Sequence, residues 1–343
     1  MVGLRLSQAP KIAILGMMLT MLLATAPCGS RAQASTTHGP ITVHAGWVKV
    51  LQWTHWAVMP RYIRDKNVTV QMNDFKTSNE ALVGLLAGSL DITTMGYNQI
   101  AAALTRGRVP FTVIAGASSG GSKFVAAPDS RITSWASLKG KRIGSARGST
   151  QYMQLVAAMA RHGLDINRDV QFVNLGGGTD MDVALKNHSV DAIMDWEPYS
   201  SAAIVGGYGV EVPAIQNELY SDSFKVSSGI VVRNDFMRAH SQVVQEIIDA
   251  YYKAWRKITT DHQYWIRTFS ALTGADPKVL NYASRNAFPD FGMNEADIKN
   301  VARVLYHAGA LNQDVSSRLA ALLDYDFIAK ASGQTPQQLG KAR

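Results

Sequence analysis

Lys141-Arg142-Ile143-Gly144-Ser145-Ala146-Arg147-Gly148-Ser149-Thr150-Gln151-Tyr152 decides how the rest of the chain is read. Arg142 to Ala146 has the make-up of a short buried strand, and a helical pattern starts at Gln151. A strand that ends in Gly148-Ser149-Thr150 at a helix start gathers free backbone N–H groups and hydroxyls at one point. Those donors sit at the positive end of the helix dipole, so the turn favours an anion. Its rival reading is a tight turn with an ordinary Ser/Thr helix cap.

The same alternation runs outward in both directions. Ile41 to Trp47, Val68 to Met72, Leu90 to Met95, Phe111 to Ala115 and Phe124 to Ala127 read as strands before the turn, and Val170 to Leu175, Val190 to Asp195 and Ser227 to Arg233 after it. Helical stretches separate them: Thr77-Ser78-Asn79-Glu80 has capping-box spacing before Ala81 to Ala87, and Gly176-Gly177-Gly178-Thr179 leads into another helix. Strands alternating with helices imply an α/β fold with parallel strands. Beyond Arg233 the chain becomes helical. Val243, Ile247, Ile248, Tyr251, Tyr252 and Trp255 recur at three- and four-residue steps, and Ile298, Val301, Val304 and Leu305 repeat the pattern, as core-facing stripes.

The first 34 residues read as an export leader: basic Arg5 and Lys11, an apolar run from Ile12 to Ala26, and Ala32-Gln33-Ala34 as the cleavage pattern. The run is shorter than the roughly 20 residues of a spanning helix. Cleavage near Ala34 removes Cys28, the one cysteine, and three positive charges, so the net charge of +8 becomes +5. An exported chain without disulfides suits the periplasm, and its length supplies ample core. A modest positive balance either steers anionic ligands or, the better-supported reading, is ordinary variation among periplasmic proteins. No basic run or basic–aromatic ladder supports nucleic-acid binding.

Five motifs then occur in order: Gly88-Ser89-Leu90-Asp91-Ile92, Lys139-Gly140-Lys141-Arg142-Ile143, Gly148-Ser149-Thr150, Val190-Asp191-Ala192 and Trp196-Glu197-Pro198-Tyr199. Together they resemble the solute-binding proteins of ABC importers for nitrate, taurine and alkanesulfonates, over roughly residues 41–260. The resemblance implies a two-lobed periplasmic binding protein of type II, with two crossovers and the ligand between the lobes. The expected division is a leader at 1–34, a first lobe at 35–127 and 227–331, an inserted second lobe at 128–226, and a flexible polar tail at 332–343. The implied role is capture of a small organic anion, a sulfonate or carboxylate, and its delivery as a monomer to a membrane permease, without cofactor or catalysis. A sensor subunit and a pyrimidine-precursor protein on the same scaffold are the alternatives. The related pyrimidine synthase relies on a cysteine-rich motif, which the mature chain lacks.

The positions matching the family's anion contacts are Thr94, Met95, Gly96 and Tyr97 from the first lobe, and Gly148, Ser149, Thr150, Trp196 and Glu197 from the second. Arg147 either pairs with the anion or reaches solvent. Gly177 and Gly178 either admit the ligand to the backbone or only turn the loop. Glu197 is either a ligand acceptor or a capping carboxylate. Trp47, Trp53, His55 and Trp56 depart from a small-anion pattern. Trp47 and Trp53 are the rings expected in the cleft, where they would meet a bulky or flat organic group; facing the core they would say nothing about the ligand. Gly116-Ala117-Ser118-Ser119-Gly120 matches a nucleophile elbow in letters, but a strand rather than a helix is expected after it. No paired-His, paired-Cys or nucleotide-loop spacing appears.

Overall fold

A computed structural model describes residues 39–219 and 227–342; the expected leader and its cleavage site lie outside them. The described residues open with β1 (Ile41–Val48), β2 (Val68–Phe75), β3 (Ile92–Gly96) and β4 (Phe111–Gly120). A second sheet follows, built from β5 (Ser122–Ala126), β6 (Arg142–Ser145), β7 (Gln171–Asn174), β8 (Ala192–Trp196) and β9 (Val210–Glu211). β10 (Ser227–Arg233) and β11 (Ala287–Pro289) return to the first. The first sheet has the order β11-β4-β10-β3-β1-β2 and the second β7-β6-β8-β5-β9. This is the two-sheet α/β architecture expected from the alternation.

In the first sheet β1 lies parallel to β2 and β3, with Ala45 opposite Met72 and Ile92. Helices cover both faces of a parallel sheet, and β3 is buried along its whole length. β10 runs antiparallel between β3 and β4. The helix Ser241–Thr260 packs on this lobe with Val243, Ile247, Ile248 and Tyr251 buried, as its stripe predicts. Each such aliphatic side chain adds about 1.5–3 kcal/mol by burial, and Ile247→Ala would cost about 2–5 kcal/mol.

The change of sheet comes at Gly120-Gly121. Both hold positive φ, +69° and +82°, which an L side chain adopts poorly. A Cβ on Gly121 would also collide with the Gln52 carboxamide. Ser122–Ala126 therefore pairs with β8 and β9, ahead of the expected lobe boundary at 127/128. The nucleophile-elbow letters fall inside β4, so no strand–turn–helix elbow forms there.

The tail expected to be flexible from Ser332 folds back instead. Leu339 is 2% exposed, its carbonyl accepts from Met293 N at 2.8 Å, and Gly340 O accepts from Glu295 N at 2.9 Å. One apolar residue in a polar stretch, too sparse to show a period, anchors it.

Candidate functional site

Two helices point their N-termini at the space between the lobes. From the first lobe comes Ser78–Ala87, whose N-cap Thr77 accepts through its side chain from Glu80 N. From the second comes Thr150–Arg161, whose N-cap Ser149 accepts from Tyr152 N at 3.1 Å. Helix geometry leaves the first N–H groups, those of Ser78, Asn79, Thr150 and Gln151, without intrahelical partners. Thr77, Ser78, Ser149, Thr150 and Gln151 all line one cavity of about 40 Å³. That is space for about three water molecules, or one small oxyanion head.

The rest of the wall is polar but uncharged. Trp53 Nε1 donates to both Ser118 Oγ and Ser228 Oγ at 2.9 Å, and the two hydroxyls are 2.8 Å apart. Two hydroxyls carry two protons. One serves the Ser–Ser contact and the other is free for a guest. Gln52, Gln99 and Trp196 complete the polar lining, with Val48, Val50 and Gly120 beside them. No Asp, Glu, Lys, Arg or His belongs to this wall. Two buried polar atoms on it have no partner, Trp196 Nε1 and Gln52 Oε1.

The lobes touch directly around the cavity. Thr150 Oγ1 donates to Asn98 Oδ1 at 2.8 Å, and Asn79 Nδ2 to Arg147 O at 3.4 Å. A second cavity of about 390 Å³ adjoins the first, with Val48 and Trp196 in both walls. Phe75, Lys76, Tyr199 and the loop Gly176–Gly178 surround it. Gly177 holds φ +109°, and a Cβ there would strike the Trp196 indole. Glycine is what lets this loop lie against the ring.

Behind Trp196 the second lobe buries acids. Asp195 Oδ1 accepts from Trp196 N at 2.8 Å, and burial raises its pKa well above the usual range, towards the neutral form. Burial likewise pushes Asp182 up to about 7.

The structure brings Trp53, Ser149, Thr150 and Trp196 together on the inner wall, and Gly177 and Gly178 on the outer one. Other expected residues lie elsewhere. Trp47 is buried on β1 and touches neither cavity wall. Thr94, Met95, Gly96 and Tyr97 are buried behind the wall, where the missing side chain of Gly96 makes room for Thr150 Oγ1. Gln99, one turn on, takes the lining position. Arg147 and Gly148 face a separate groove beside Ala308–Ala310. The Arg147 guanidinium stacks on Phe172 at 4.7 Å and donates to Tyr152 Oη at 3.0 Å.

Glu197 is fully buried at the junction of the lobes. Its Oε2 accepts from Ser201 N at 3.2 Å, its Oε1 from Asn286 Nδ2 at 3.3 Å, and Lys123 Nζ is 3.7 Å away. Burial raises its pKa, while Lys123 opposes the rise. His55 and Trp56 belong to the core. His55 Nε2 meets Tyr251 Oη at 2.8 Å and burial lowers its pKa to about 3; Trp56 Nε1 donates to Gly46 O at 2.8 Å.

Sequence reasoning missed Gln52, Ser118, Gln151 and Ser228, and saw in Thr77-Ser78 only a cap. Ser118 and Ser228 come from strands 110 residues apart in sequence, and only the sheet order sets them side by side. Among the described residues no group of three or more His, Cys, Asp or Glu is placed to hold a metal ion. Among the described residues no helix is long and apolar enough to cross a membrane.

A family model described as "NMT1/THI5 like" matches residues 61–263, more than half of the chain. The chain is 28% identical over 276 residues to a putative aliphatic sulfonates-binding protein of Bacillus subtilis (strain 168), covering 78% of this chain and 79% of that one. Its fold is similar to the alkanesulfonate-binding protein SsuA from Xanthomonas axonopodis pv. citri bound to MOPS, with a TM-score of 0.73 and 19% identity, over 84% of this chain and 100% of that one. It is also similar to the periplasmic nitrate-binding protein NrtA from Synechocystis PCC 6803, with a TM-score of 0.70 and 10% identity, over 89% and 92% of the two chains. At these identities the two structures establish the fold.

Proposed function

We propose, since this chain belongs to the NMT1/THI5-like family, that it is the periplasmic substrate-binding component of an ABC importer and captures a small organosulfonate between its lobes. One observation carries the reading: two helix N-termini, one from each lobe, converge with spare hydroxyl protons on a single uncharged cavity. An anion in that cavity gains from both dipoles and from charge-assisted hydrogen bonds. The similarity to a sulfonates-binding protein in Bacillus subtilis supports the choice of anion.

The mechanism follows from the bridging. A ligand held by both lobes binds the closed arrangement better than the open one, and so shifts the population towards closure. The head group fills the inner cavity and the organic substituent extends past Trp196 into the outer one. The closed protein, acting as a monomer, then docks on a membrane permease. A micromolar dissociation constant, about −8 kcal/mol, is within reach of several charged hydrogen bonds of about 1.5–3 kcal/mol each.

A thermal-shift panel of short alkanesulfonates, nitrate, alkyl carboxylates and pyrimidines tests the assignment. A sulfonate at 100 times its dissociation constant adds about 2.7 kcal/mol of stability. A shift confined to carboxylates, nitrate or pyrimidines would overturn the sulfonate assignment.

A further inference from the structure

We infer that the inner cavity selects a head group with one negative charge and no proton, so that an organosulfonate binds and the matching organophosphonate is rejected, with Gln52 setting the choice. The inference rests on the reading of this cavity as an oxyanion site. A sulfonate is fully ionised wherever the protein is folded. A phosphonate loses its second proton only around neutrality. It therefore arrives either with a hydroxyl that needs an acceptor or with a second charge that needs a cation.

The wall supplies no ionised acceptor and no cation. It has no carboxylate to take the proton and no Lys, Arg or His to balance a second charge. Each cap already accepts one bond: Ser149 Oγ takes Tyr152 N–H, and Thr77 Oγ1 takes Glu80 N–H. Ser118 and Ser228 both receive the Trp53 indole proton. Ser149 and Thr77 each keep a proton to give, and the Ser118–Ser228 pair keeps one between them. Gln99 is spent twice, accepting from Gly96 N and donating to Asn79 Oδ1.

Gln52 differs from the rest. It is 4% exposed, and its Oε1 is the buried acceptor on this wall without a partner. Its carboxamide carries a donor and an acceptor on one plane. Facing a bare sulfonate oxygen it gives an N–H, and facing a hydroxyl it has only a neutral carbonyl, a weaker partner than a carboxylate. Gln52→Glu replaces that donor by a carboxyl, an acceptor once ionised, at nearly constant volume. It inverts the chemistry at one point of the wall.

The test is calorimetric titration of propane-1-sulfonate and propylphosphonate, a pair matched in chain length, at pH 6 and pH 8. Wild type is expected to bind the sulfonate at least tenfold more tightly at both pH values. Gln52→Glu is expected to weaken the sulfonate and to narrow the ratio at least tenfold at pH 6, where the phosphonate keeps its proton. Should that variant melt early, Gln52→Met fills the same space without polar atoms and is expected to narrow the ratio at least threefold by weakening the sulfonate alone. Equal binding of the pair by wild type would overturn the selection. A ratio unchanged in the folded variant would overturn the role of Gln52. Binding of neither ligand would break the reading of the cleft as a sulfonate site, and the inference with it.

Discussion

The N-termini of Ser78–Ala87 and Thr150–Arg161 face each other across the cleft and are built alike: a hydroxyl N-cap, then a second hydroxyl at the first helical position. Their surroundings differ. The first carries Glu80 in its opening turn, and its caps Thr77 and Ser78 are half-buried. The second has no acid in its first turn, and Ser149 is only 5% exposed. The opening turn of the first helix thus opposes an anion with one carboxylate, and that of the second with none. Screening by water also weakens the first side more. On the proposed reading, two similar turns are therefore expected to contribute unequally, with the second-lobe turn giving the larger share.

The strongest way to break this asymmetry is to remove the second-lobe hydroxyls. Ser149→Ala with Thr150→Ala is expected to weaken sulfonate binding at least tenfold by calorimetry, since a hydrogen bond to a charged group is worth about 1.5–3 kcal/mol. The lost cap also lowers stability by about 0.5–2 kcal/mol, visible as a lower melting temperature. Unchanged affinity would reduce the turn to a helix cap.

Thr77→Ala with Ser78→Ala is expected to cost about three- to fivefold, because exposed sites give about 1 kcal/mol or less. Equal losses in the two double variants would erase the asymmetry. Glu80→Gln sharpens it from the other side. Glu80 Oε2 accepts from Lys76 N at 3.0 Å, a bond the amide oxygen keeps, so only the charge is removed. Affinity is expected to rise about twofold at low salt, and the gain should vanish at high salt.

Smallest of all is the effect of pH on binding. With no titratable group on the inner wall, affinity for methanesulfonate is expected to change less than twofold between pH 5.5 and 8.5. Stability behaves differently. Asp182 has its pKa raised by burial to about 7, so the folded state binds the proton more readily than the unfolded one. Its contribution to stability is present below the unfolded carboxylate pKa and is lost as pH rises to about 7. The melting temperature of Asp182→Asn relative to wild type should therefore climb from pH 4 to pH 7 and then level off. A constant difference across that range would contradict the raised pKa.

The two N-termini also mark how far the sequence could be read. Gly148-Ser149-Thr150 was visible because a strand, a glycine and a helix start adjoin in the chain. Thr77-Ser78-Asn79-Glu80 was equally visible as a cap, but nothing local says that it faces the other lobe. The same holds for Ser118 and Ser228, whose meeting depends on β10 inserting antiparallel between β3 and β4. Trp196 was found by its place at a strand end. Trp53 and Trp47 could not be told apart by composition. They lie on opposite sides of Val48–Gln52, where the chain leaves β1 for a short 3₁₀ turn. That turn sends Trp53 to the cavity and leaves Trp47 in the core. Glu197 misled for the opposite reason. It occupies the right strand end, yet its carboxylate turns towards Asn286 and Lys123 at the lobe junction.

All of this depends on an anion held from both sides at once. A crystal structure with a short alkanesulfonate measures that directly. Sulfonate oxygens should lie about 2.7–3.2 Å from donors of the Thr77-Ser78 turn and of the Ser149-Thr150 turn in the same molecule, with the carbon chain pointing past Trp196. A sulfonate touching one turn alone, or seated only in the outer cavity, would contradict the account.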